Sequence, residues 1–488
     1  LHELDTGKVN TSGDVMYGDL NVNADVHADT VHATVKQSVY LNSLASWDSQ
    51  GVLNDTIILK NVSDTLYNKI LAIRPNKPDT SFTSINLIAN TTLFPKGTYF
   101  HIHKGSYTAT VNIARDSCVQ YYDADAIVTK TTIGPIFDMT SISNTVYILG
   151  YGNFYKTTNS GAIFYTPTAV SDINIEFNSA VSTVDNTIGI SSSGNYNFNI
   201  KGKLCTSSAG VAIYINDNNM VSNFNIDIDK IISTASYGIQ TLWMNTLTVK
   251  SSYVSGLSSL CGLNAGNQTR NGVYNIAYCS GYFNNAGAMT VNGNCGKVST
   301  SGISYWYDSR TIINGVVNGK ISNAGWLHVF SFEGDNGIDN SGGYFEVENF
   351  RCSYINVVNI TGGISKFYNM YCHNDIGVFN VTNGTLEFNG DLTIDDNNTN
   401  QINVSGTGIF KLNGSVDGFA YFINQTGGTI IINGKINNNI NPLFYIKWGY
   451  CIKKTGGSLI IDGGKLFKAT NYRQLIYCPT TPQNIMVY

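Results

Sequence analysis

The middle of the chain carries the types of side chain that a sugar-binding surface needs. Trp306 lies between two tyrosines and is followed by Arg310, and Trp326 is close to His328. Aromatic rings pack against the C–H faces of sugars, while charged groups hold the hydroxyls. This grouping indicates a glycan-binding surface, although packing of the same rings between protomers or under a loop explains it equally well. The predicted glycan-binding residues are Tyr305, Trp306, Tyr307, Arg310, Trp326, His328, Tyr371 and His373.

The last two of these residues belong to a second polar and aromatic group that would form the rim of the same groove. It contains Tyr368, Tyr371, His373 and Asp375. Cys372 is the neighbour of His373, but adjacent residues of a strand face opposite sides, so the two do not form a nucleophilic pair.

Carboxyl groups decide whether such a surface only binds a glycan or also cleaves it. Glycoside hydrolysis needs one carboxyl group as an acid and another as a base or nucleophile. Glu333 and Asp335 are two positions apart and would share one face of a strand. Gly334 between them favours a turn, so a solvated loop is the simpler explanation. The candidate catalytic residues are Asp308, Glu333 and Asp335, and they form no complete catalytic signature.

Two further acidic pairs alternate with apolar residues. They are Asp227 with Asp229 and Glu346 with Glu348. This alternation predicts strands whose polar side faces solvent.

The sequence contains no recognisable cofactor or metal motif. The nine cysteines are scattered without paired or ligand-like spacing, and no Walker A, H-E-x-x-H or G-x-S-x-G segment occurs. We therefore predict no cofactor and no metal site. Unpatterned cysteines are typical of free thiols in a protein that folds in a reducing cytoplasm.

Composition indicates a large, ordered β protein. Only 13% of the 488 residues are charged, while there are 48 Gly, 30 Tyr and 8 Pro. This mixture suits strands and tight turns rather than long helices. The net charge is −4 without a basic tract, which argues against nucleic acid as a partner. No apolar run is long enough to cross a membrane, so we predict no membrane insertion.

A short pattern repeats near the end of the sequence. Residues 382–390, 406–414, 426–434 and 455–463 each run from small residues through a short apolar segment to a glycine. The closing glycines are 24, 20 and 29 positions apart. Repeats of this length without a helical period predict a β-solenoid, whereas the frame of a leucine-rich repeat and the longer period of a propeller are missing. We expect Asn-Gly pairs to supply left-handed backbone at the corners, and stacked asparagines to form amide ladders.

Residues 1–46 have no core of their own. Residues 12–20 include Gly13-Asp14, Met16 and Gly18-Asp19-Leu20. They resemble the S-G-D-T-M-T-G-x-L segment of phage tail-fibre stems, with Val15 and Tyr17 in place of two threonines. This resemblance implies a fibre shaft wound from copies of the chain, hence a homotrimer that attaches to other virion proteins through residues 1–46. A flexible leader is the alternative.

Residues 47–105 resemble the start of the pectate-lyase-like β-helix. Residues 47–59 are similar to the G-D-G-x-x-D-D-T-x-x-I segment of that superfamily, and residues 93–100 match its downstream P-x-G-x-Y segment. The resemblance implies a helix around residues 55–68 that caps the solenoid, then a turn at Pro95 and Gly97 and a strand over residues 98–100. The catalytic motifs of polygalacturonases and pectate lyases are missing, so no reaction follows from the resemblance.

Together these features predict an all-β chain that forms a right-handed parallel β-helix with a short N-terminal capping helix and a fibre-stem segment. Residues 1–46 would be the virion-side stem, 47–105 the start of the β-helix, and 106–488 its body. The predicted function is that of a virion fibre or tailspike, made in the host cytoplasm, that binds bacterial surface polysaccharide. The alternatives are a polysaccharide depolymerase and a purely structural fibre.

Overall fold

A computed structural model gives the fold of most of the chain. It describes residues 70–73, 84–92, 94, 96–169, 171–219, 221–242, 245–257, 261–265, 271–285, 289–300, 310–333, 337–352, 356–372, 377–394, 400–418, 421–437, 450–463, 465–467, 474–479 and 484–488.

The described part is an all-β parallel solenoid of the right-handed type, as predicted, and it contains almost no helix. A 3-10 helix occupies Ile85–Ala89. The strands are β1 (Ile70–Ile73), β2 (Tyr99–Ile102), β3 (Gly105–Ala109), β4 (Val119–Tyr122), β5 (Ala126–Lys130), β6 (Phe137–Asp138), β7 (Val146–Gly150), β8 (Asn153–Lys156), β9 (Phe164–Ala169), β10 (Ile173–Ser182), β11 (Ile188–Ser192), β12 (Asn197–Ser207), β13 (Ile213–Asp217), β14 (Asn223–Ser233), β15 (Ile239–Leu242), β16 (Thr246–Ser255), β17 (Cys261–Ala265), β18 (Asn271–Asn285), β19 (Met289–Thr300), β20 (Arg310–Val317), β21 (Ile321–Asn323), β22 (Trp326–Phe332), β23 (Ile338–Asn340), β24 (Tyr344–Cys352), β25 (Asn356–Ile360), β26 (Ile364–Cys372), β27 (Gly377–Val381), β28 (Thr385–Phe388), β29 (Leu392–Ile394), β30 (Asn400–Val404), β31 (Ile409–Leu412), β32 (Ser415–Gly418), β33 (Tyr421–Gln425), β34 (Thr429–Ile432), β35 (Lys435–Asn437), β36 (Tyr450–Lys454), β37 (Ser458–Ile461), β38 (Lys465–Phe467), β39 (Gln474–Tyr477) and β40 (Asn484–Val487).

These strands stack into three faces, and all pairings between described strands are parallel. The first face contains β1, β2, β4, β7, β10, β12, β14, β16, β18, β19, β20, β22, β24, β26, β28, β31, β34, β37 and β40. The second contains β3, β5, β8, β29, β32, β35 and β38, with the later residues of β10, β12, β14, β16, β18, β19, β20, β22, β24 and β26 between them. The third contains β6, β9, β11, β13, β15, β17, the ends of β18 and β19, and β21, β23, β25, β27, β30, β33, β36 and β39.

Alternate residues of each strand point into the solenoid, because side chains of a strand alternate between its two sides. In β28 the buried residues are Leu386 and Phe388, and in β31 they are Phe410 and Leu412. The repeated apolar segments of the sequence therefore supply the core.

Aromatic rings follow one another along this core. The rings of Phe332 and Phe350 are stacked with centroids 5.3 Å apart, and Phe350 lies edge-on to Phe367 at 5.4 Å. Phe388 continues the series toward Phe410, again edge-on at 5.2 Å. Such arrangements stabilise by about 0.5–1.5 kcal/mol per pair beyond the burial of apolar area.

The expected amide ladders are present. On the third face, Asn359 Nδ2 donates to Asp339 Oδ1 at 2.7 Å, Asn380 donates to Asn359 at 2.9 Å, and Asn403 donates to Asn380 at 2.9 Å. Asn424 extends the series at 3.4 Å. Each side-chain amide thus donates a hydrogen bond to a side-chain oxygen on the coil before it, because the parallel register places the two residues side by side.

Our explanation of the Asn-Gly pairs is wrong for three of the repeats. Gly390, Gly414 and Gly434 do not have positive φ angles. Instead, a Cβ atom at any of them would lie 1.8–1.9 Å from a carbonyl oxygen of the preceding coil, that of Tyr368, Gly390 or Gly414. These positions need glycine because the backbones approach closely, not because the chain is left-handed.

The left-handed backbone is found at the other glycines of the repeat. Gly343, Gly363, Gly428 and Gly457 have φ angles of 67°, 64°, 65° and 71°. Each is the second glycine of a Gly-Gly pair at the turn before a strand of the first face. Residues with a side chain rarely adopt this conformation, so the turn selects glycine.

The predicted stem and capping helix lie outside the described residues. Parallel pairing is already present at β1, where Ile70 is the partner of Tyr99. The predicted strand over residues 98–100 is confirmed by β2, and Gly97 has the positive φ angle of 79° expected at its turn. No helix in the described part of the chain is long and apolar enough to span a membrane.

The adjacent glycines of one turn give a matched test of this account. A Cβ atom at Gly343 would lie 2.1 Å from Gly325 O on a left-handed backbone, whereas at Gly342 it would lie 3.6 Å from Ala324 O. We expect Gly343→Ala to lower the free energy of unfolding by about 2 kcal/mol or more. Gly342→Ala should change it by no more than about 0.5 kcal/mol. Denaturant unfolding of both variants measures the difference, and equal effects would contradict the turn geometry.

Candidate functional site

The site is built around β22. Trp326, His328 and Phe330 point outward from this strand, while Leu327 and Val329 between them are fully buried. The inward residues fix the strand on the core, so the three outward side chains project from a rigid support.

Trp326 is enclosed between neighbouring coils. The guanidinium carbon of Arg310, on the coil before, lies 5.7 Å from the centre of the indole. The ring of Tyr344, on the coil after, is stacked at 5.5 Å with an angle of 13° between planes. Lys366 belongs to the coil after that of Tyr344, and its Nζ lies 5.4 Å from the centre of the Tyr344 ring. Both faces of the indole therefore contact protein, and its edge is what remains for solvent.

His328 lies between two carboxylates of the next coil. Its Nε2 is 3.2 Å from Glu348 Oε1, and its Nδ1 is 3.8 Å from Glu346 Oε2. The register that pairs Trp326 with Tyr344 also pairs His328 with Glu346, so both contacts follow from one backbone alignment.

Several neighbouring groups stabilise the ionised carboxylate of Glu346. Its Oε2 accepts a hydrogen bond of 2.8 Å from the Tyr344 hydroxyl. Burial opposes ionisation of Glu346, but the hydroxyls of Tyr344 and Tyr368 and the nearby His328 and Lys366 outweigh it and lower the pKa of the carboxyl group. Burial and the bond to Glu346 raise the pKa of Tyr344, which keeps its hydroxyl a donor.

Opposite charges continue from Glu346 along the first face. In the strand register, Glu346 lies beside Lys366, Lys366 beside Glu387, and Glu387 beside Lys411. Glu387 Oε1 lies 2.9 Å from Lys411 Nζ, and its Oε2 lies 3.8 Å from Lys366 Nζ. This row of charges makes the surface polar without a strong net charge.

The corner between the first and second faces carries a separate series, which we call the corner column. On one side Asn314 donates to Asn292 at 2.8 Å, and on the other Asn413 donates to Asn389 at 2.7 Å and Asn433 to Asn413 at 3.0 Å. Between these two amide ladders the corner positions belong to Phe330, Glu348 and Tyr368, because Val329 pairs with Val347 and Val347 with Phe367. At these positions the repeat changes from amides to a ring, a carboxylate and a phenol, while one residue further along the chain Asn369 donates to Asn349 at 3.3 Å.

Phe330 is the most exposed ring of this interruption. Its side chain is 47% exposed, and Glu348 on the next coil is 44% exposed. The Asn349 amide donates to the Phe330 carbonyl oxygen at 3.2 Å, which holds the two coils together at the corner.

A second cluster lies beyond the corner on the second face. The guanidinium carbon of Arg351 is 5.9 Å from the centre of the Tyr371 ring, and Arg351 Nη1 is 4.0 Å from Glu333 Oε1. All three side chains are substantially exposed. The predicted rim residue Tyr371 is therefore on the face next to that of Trp326.

The structure describes only some of the predicted site residues. It brings Arg310, Trp326 and His328 together, and it places Glu333 and Tyr371 in the second cluster. The predicted residues Tyr305, Trp306, Tyr307, Asp308, Asp335 and His373 lie outside the described residues. The pairing of Glu333 with Asp335 consequently stays a prediction.

Sequence reasoning missed Phe330, Tyr344 and Lys366, and it treated Glu346 and Glu348 as an ordinary solvent-facing pair. Glu346 is only 17% exposed and belongs to a network. The signal was the alternation of β22 and β24, whose outward residues match once the two strands are aligned. The two strands can be aligned only when the number of residues in the coil between them is known.

Comparison with models of protein families, with curated proteins and with solved structures finds no match to this chain. Its function has to be argued from its own side chains.

The network around Glu346 predicts a pH-dependent loss of stability. A lowered folded pKa stabilises the fold above the ordinary glutamate value of 4.5, and this contribution is lost as the pH falls through the folded pKa. We expect Glu346→Gln to cost about 1 kcal/mol at pH 7 and progressively less below pH 4.5. Denaturant unfolding from pH 7 to pH 3 measures this, with Glu333→Gln, exposed and 4.0 Å from Arg351, as control. A cost that does not change with pH would contradict the network.

Proposed function

We propose that this protein is a β-helical virion fibre that binds bacterial surface glycan at the corner between its first and second faces. The observation that carries the proposal is the interruption of the corner column. Amide ladders stabilise the corner on both sides, yet Phe330, Glu348 and Tyr368 take their place in the middle.

An exposed phenylalanine gives up stability that burial would provide. Burying such a side chain contributes about 1.5–3 kcal/mol, and Phe330 remains 47% exposed. A single exposed apolar residue needs no explanation. Here, however, the neighbour of Phe330 on the next coil is the carboxylate of Glu348, at a position where an asparagine would continue the amide ladder. This combination of an exposed ring and a carboxylate supports ligand binding.

The surroundings of Phe330 supply what a saccharide needs. The ring offers an apolar surface for sugar C–H groups, and Glu348 and His328 offer groups that bind hydroxyls. Across the corner, Arg351, Glu333 and Tyr371 extend the same chemistry. Trp326, enclosed by Arg310 and Tyr344, supports this surface from within rather than stacking on a sugar.

Binding fits these residues better than cleavage does. A glycosidase acid must hold its proton near neutral pH, which requires a raised pKa. At this surface the pKa of Glu346 is lowered instead, which keeps that carboxyl group ionised. A depolymerase that uses Asp308, Glu333 or Asp335 is the alternative.

Attachment to a virion rests on the resemblance of residues 12–20 to phage fibre stems. A stem without its own core would be stable when wound with two further copies, so we propose a homotrimer that joins other virion proteins through residues 1–46. The corner surface would then be presented on every copy, which strengthens binding to a repetitive polysaccharide.

The test is binding of the full chain to a panel of purified bacterial capsular and lipopolysaccharide glycans. We expect Phe330→Ala to weaken binding about tenfold, since an aromatic contact of this kind contributes about 1–1.5 kcal/mol. The melting temperature should hardly change, because the ring is exposed. Tyr165→Ala, at an exposed tyrosine of the third face, is the matched control and should bind normally.

Three outcomes separate the hypotheses. Release of reducing ends from a bound glycan would favour a depolymerase. Failure to bind any glycan of the panel would favour a structural fibre. Normal binding by Phe330→Ala would show that the corner is not the binding surface.

A further inference from the structure

A second cluster with chemical potential lies far from the proposed glycan surface. His101 belongs to β2, His103 follows that strand, and Asp123 follows β4 on the next coil. His101 Nε2 is 2.8 Å from Asp123 Oδ1, and His103 Nδ1 is 3.2 Å from Asp123 Oδ2. One ligand atom from each residue lies within 4.8 Å of the others.

Neighbouring groups hold these three side chains in position. The Lys104 backbone N–H donates to Asp123 Oδ2 at 3.1 Å, and the Tyr107 hydroxyl donates to His103 O at 2.7 Å. The ring of Tyr121 packs edge-on against His101 at 5.4 Å. Supporting contacts of this kind orient the ligands of metal sites.

We propose that His101 Nε2, His103 Nδ1 and the Asp123 carboxylate bind one divalent transition-metal ion of the zinc class. Tetrahedral zinc with bonds of 2.0–2.1 Å holds its ligand atoms about 3.4 Å apart. His101 Nε2 and His103 Nδ1 each lie within hydrogen-bond distance of one oxygen of the same carboxylate, and one donor atom from each residue lies within 4.8 Å of the others, so the three side chains converge on one point and would adjust around an ion there.

The donor set selects the class of ion. Two imidazole nitrogens and one carboxylate suit zinc and its neighbours in the first transition row, whereas calcium and magnesium prefer oxygen ligands alone. The three side chains are between 14% and 29% exposed, which leaves room for a water molecule as the fourth ligand.

The bound ion would join two successive coils. His101 and His103 come from one coil and Asp123 from the next, so the ion would oppose separation of β2 from β4 near the first described coil. Sequence reasoning predicted no metal site because it looked for motifs contiguous in the chain. His101 and His103 become a ligand set only when the register brings Asp123, 22 positions after His101, against them.

The test uses the full chain after treatment with a chelator, titrated with Zn²⁺ and with Co²⁺ as a spectroscopic substitute. We expect wild type to bind one equivalent of Zn²⁺ at this cluster, and we expect Asp123→Asn and His103→Ala each to lower the affinity for that equivalent at least about tenfold. The visible absorption of four-coordinate Co²⁺ should be present in wild type and lost from both variants. Saturating Zn²⁺ should raise the melting temperature of wild type but not that of Asp123→Asn or His103→Ala.

Asp116→Asn is the matched control, because Asp116 precedes β4, which Asp123 follows, and its partners among the described residues include Lys96 and Asn144 but no histidine. It should bind metal as wild type does. If Asp123→Asn binds the same number of equivalents with the same Co²⁺ spectrum, the cluster is a hydrogen-bonded group and the proposal is wrong. Asparagine keeps the shape of aspartate, so this variant decides the matter even if His103→Ala does not fold.

Discussion

The parallel hydrogen-bond ladder between successive coils is the constraint on which the other features depend. It places each residue directly beside one particular residue of the next coil, about 4.8 Å away. Side chains therefore meet their neighbours in fixed pairs along the solenoid. Phenylalanines meet phenylalanines inside, asparagines meet asparagines outside, and glycines accompany glycines where backbones approach. Local stability is a sum of such pairs, and each pair requires that the register be kept.

The same constraint explains how a surface of different chemistry arises. Along the corner column an asparagine is stable because the next coil offers another amide, and any other residue ends the ladder. Phe330, Glu348 and Tyr368 end it together, while Trp326 with Tyr344 and His328 with Glu346 form new pairs beside them. The change is confined to consecutive coils and keeps the core intact. The glycan surface that we propose lies where the amide ladder of the corner column is interrupted.

The fold was predictable from the sequence, whereas the site was predictable only in part. Short apolar segments with recurring glycines were enough for a β-solenoid, and the amide ladders followed from the abundance of asparagine. Coil length is the information that was missing. It almost doubles between Arg310–Trp326 and Thr429–Ser458. A motif therefore does not reveal its neighbour on the next coil, so Tyr344 and Asp123 were overlooked. Similarly, close backbone approach at Gly390 depends on contacts between coils that turn preferences cannot show.

The central claim is that register assembles one glycan site from residues of successive coils. A double-mutant cycle on Phe330→Ala and Glu348→Gln, measured as the affinity for a glycan that binds the wild type, tests it most directly. Phe330 and Glu348 are neighbours on successive coils, so the double variant should lose less affinity than the sum of the two single variants, by at least about 0.5 kcal/mol. Losses that add within about 0.3 kcal/mol, or single variants that bind as tightly as wild type, would contradict the claim.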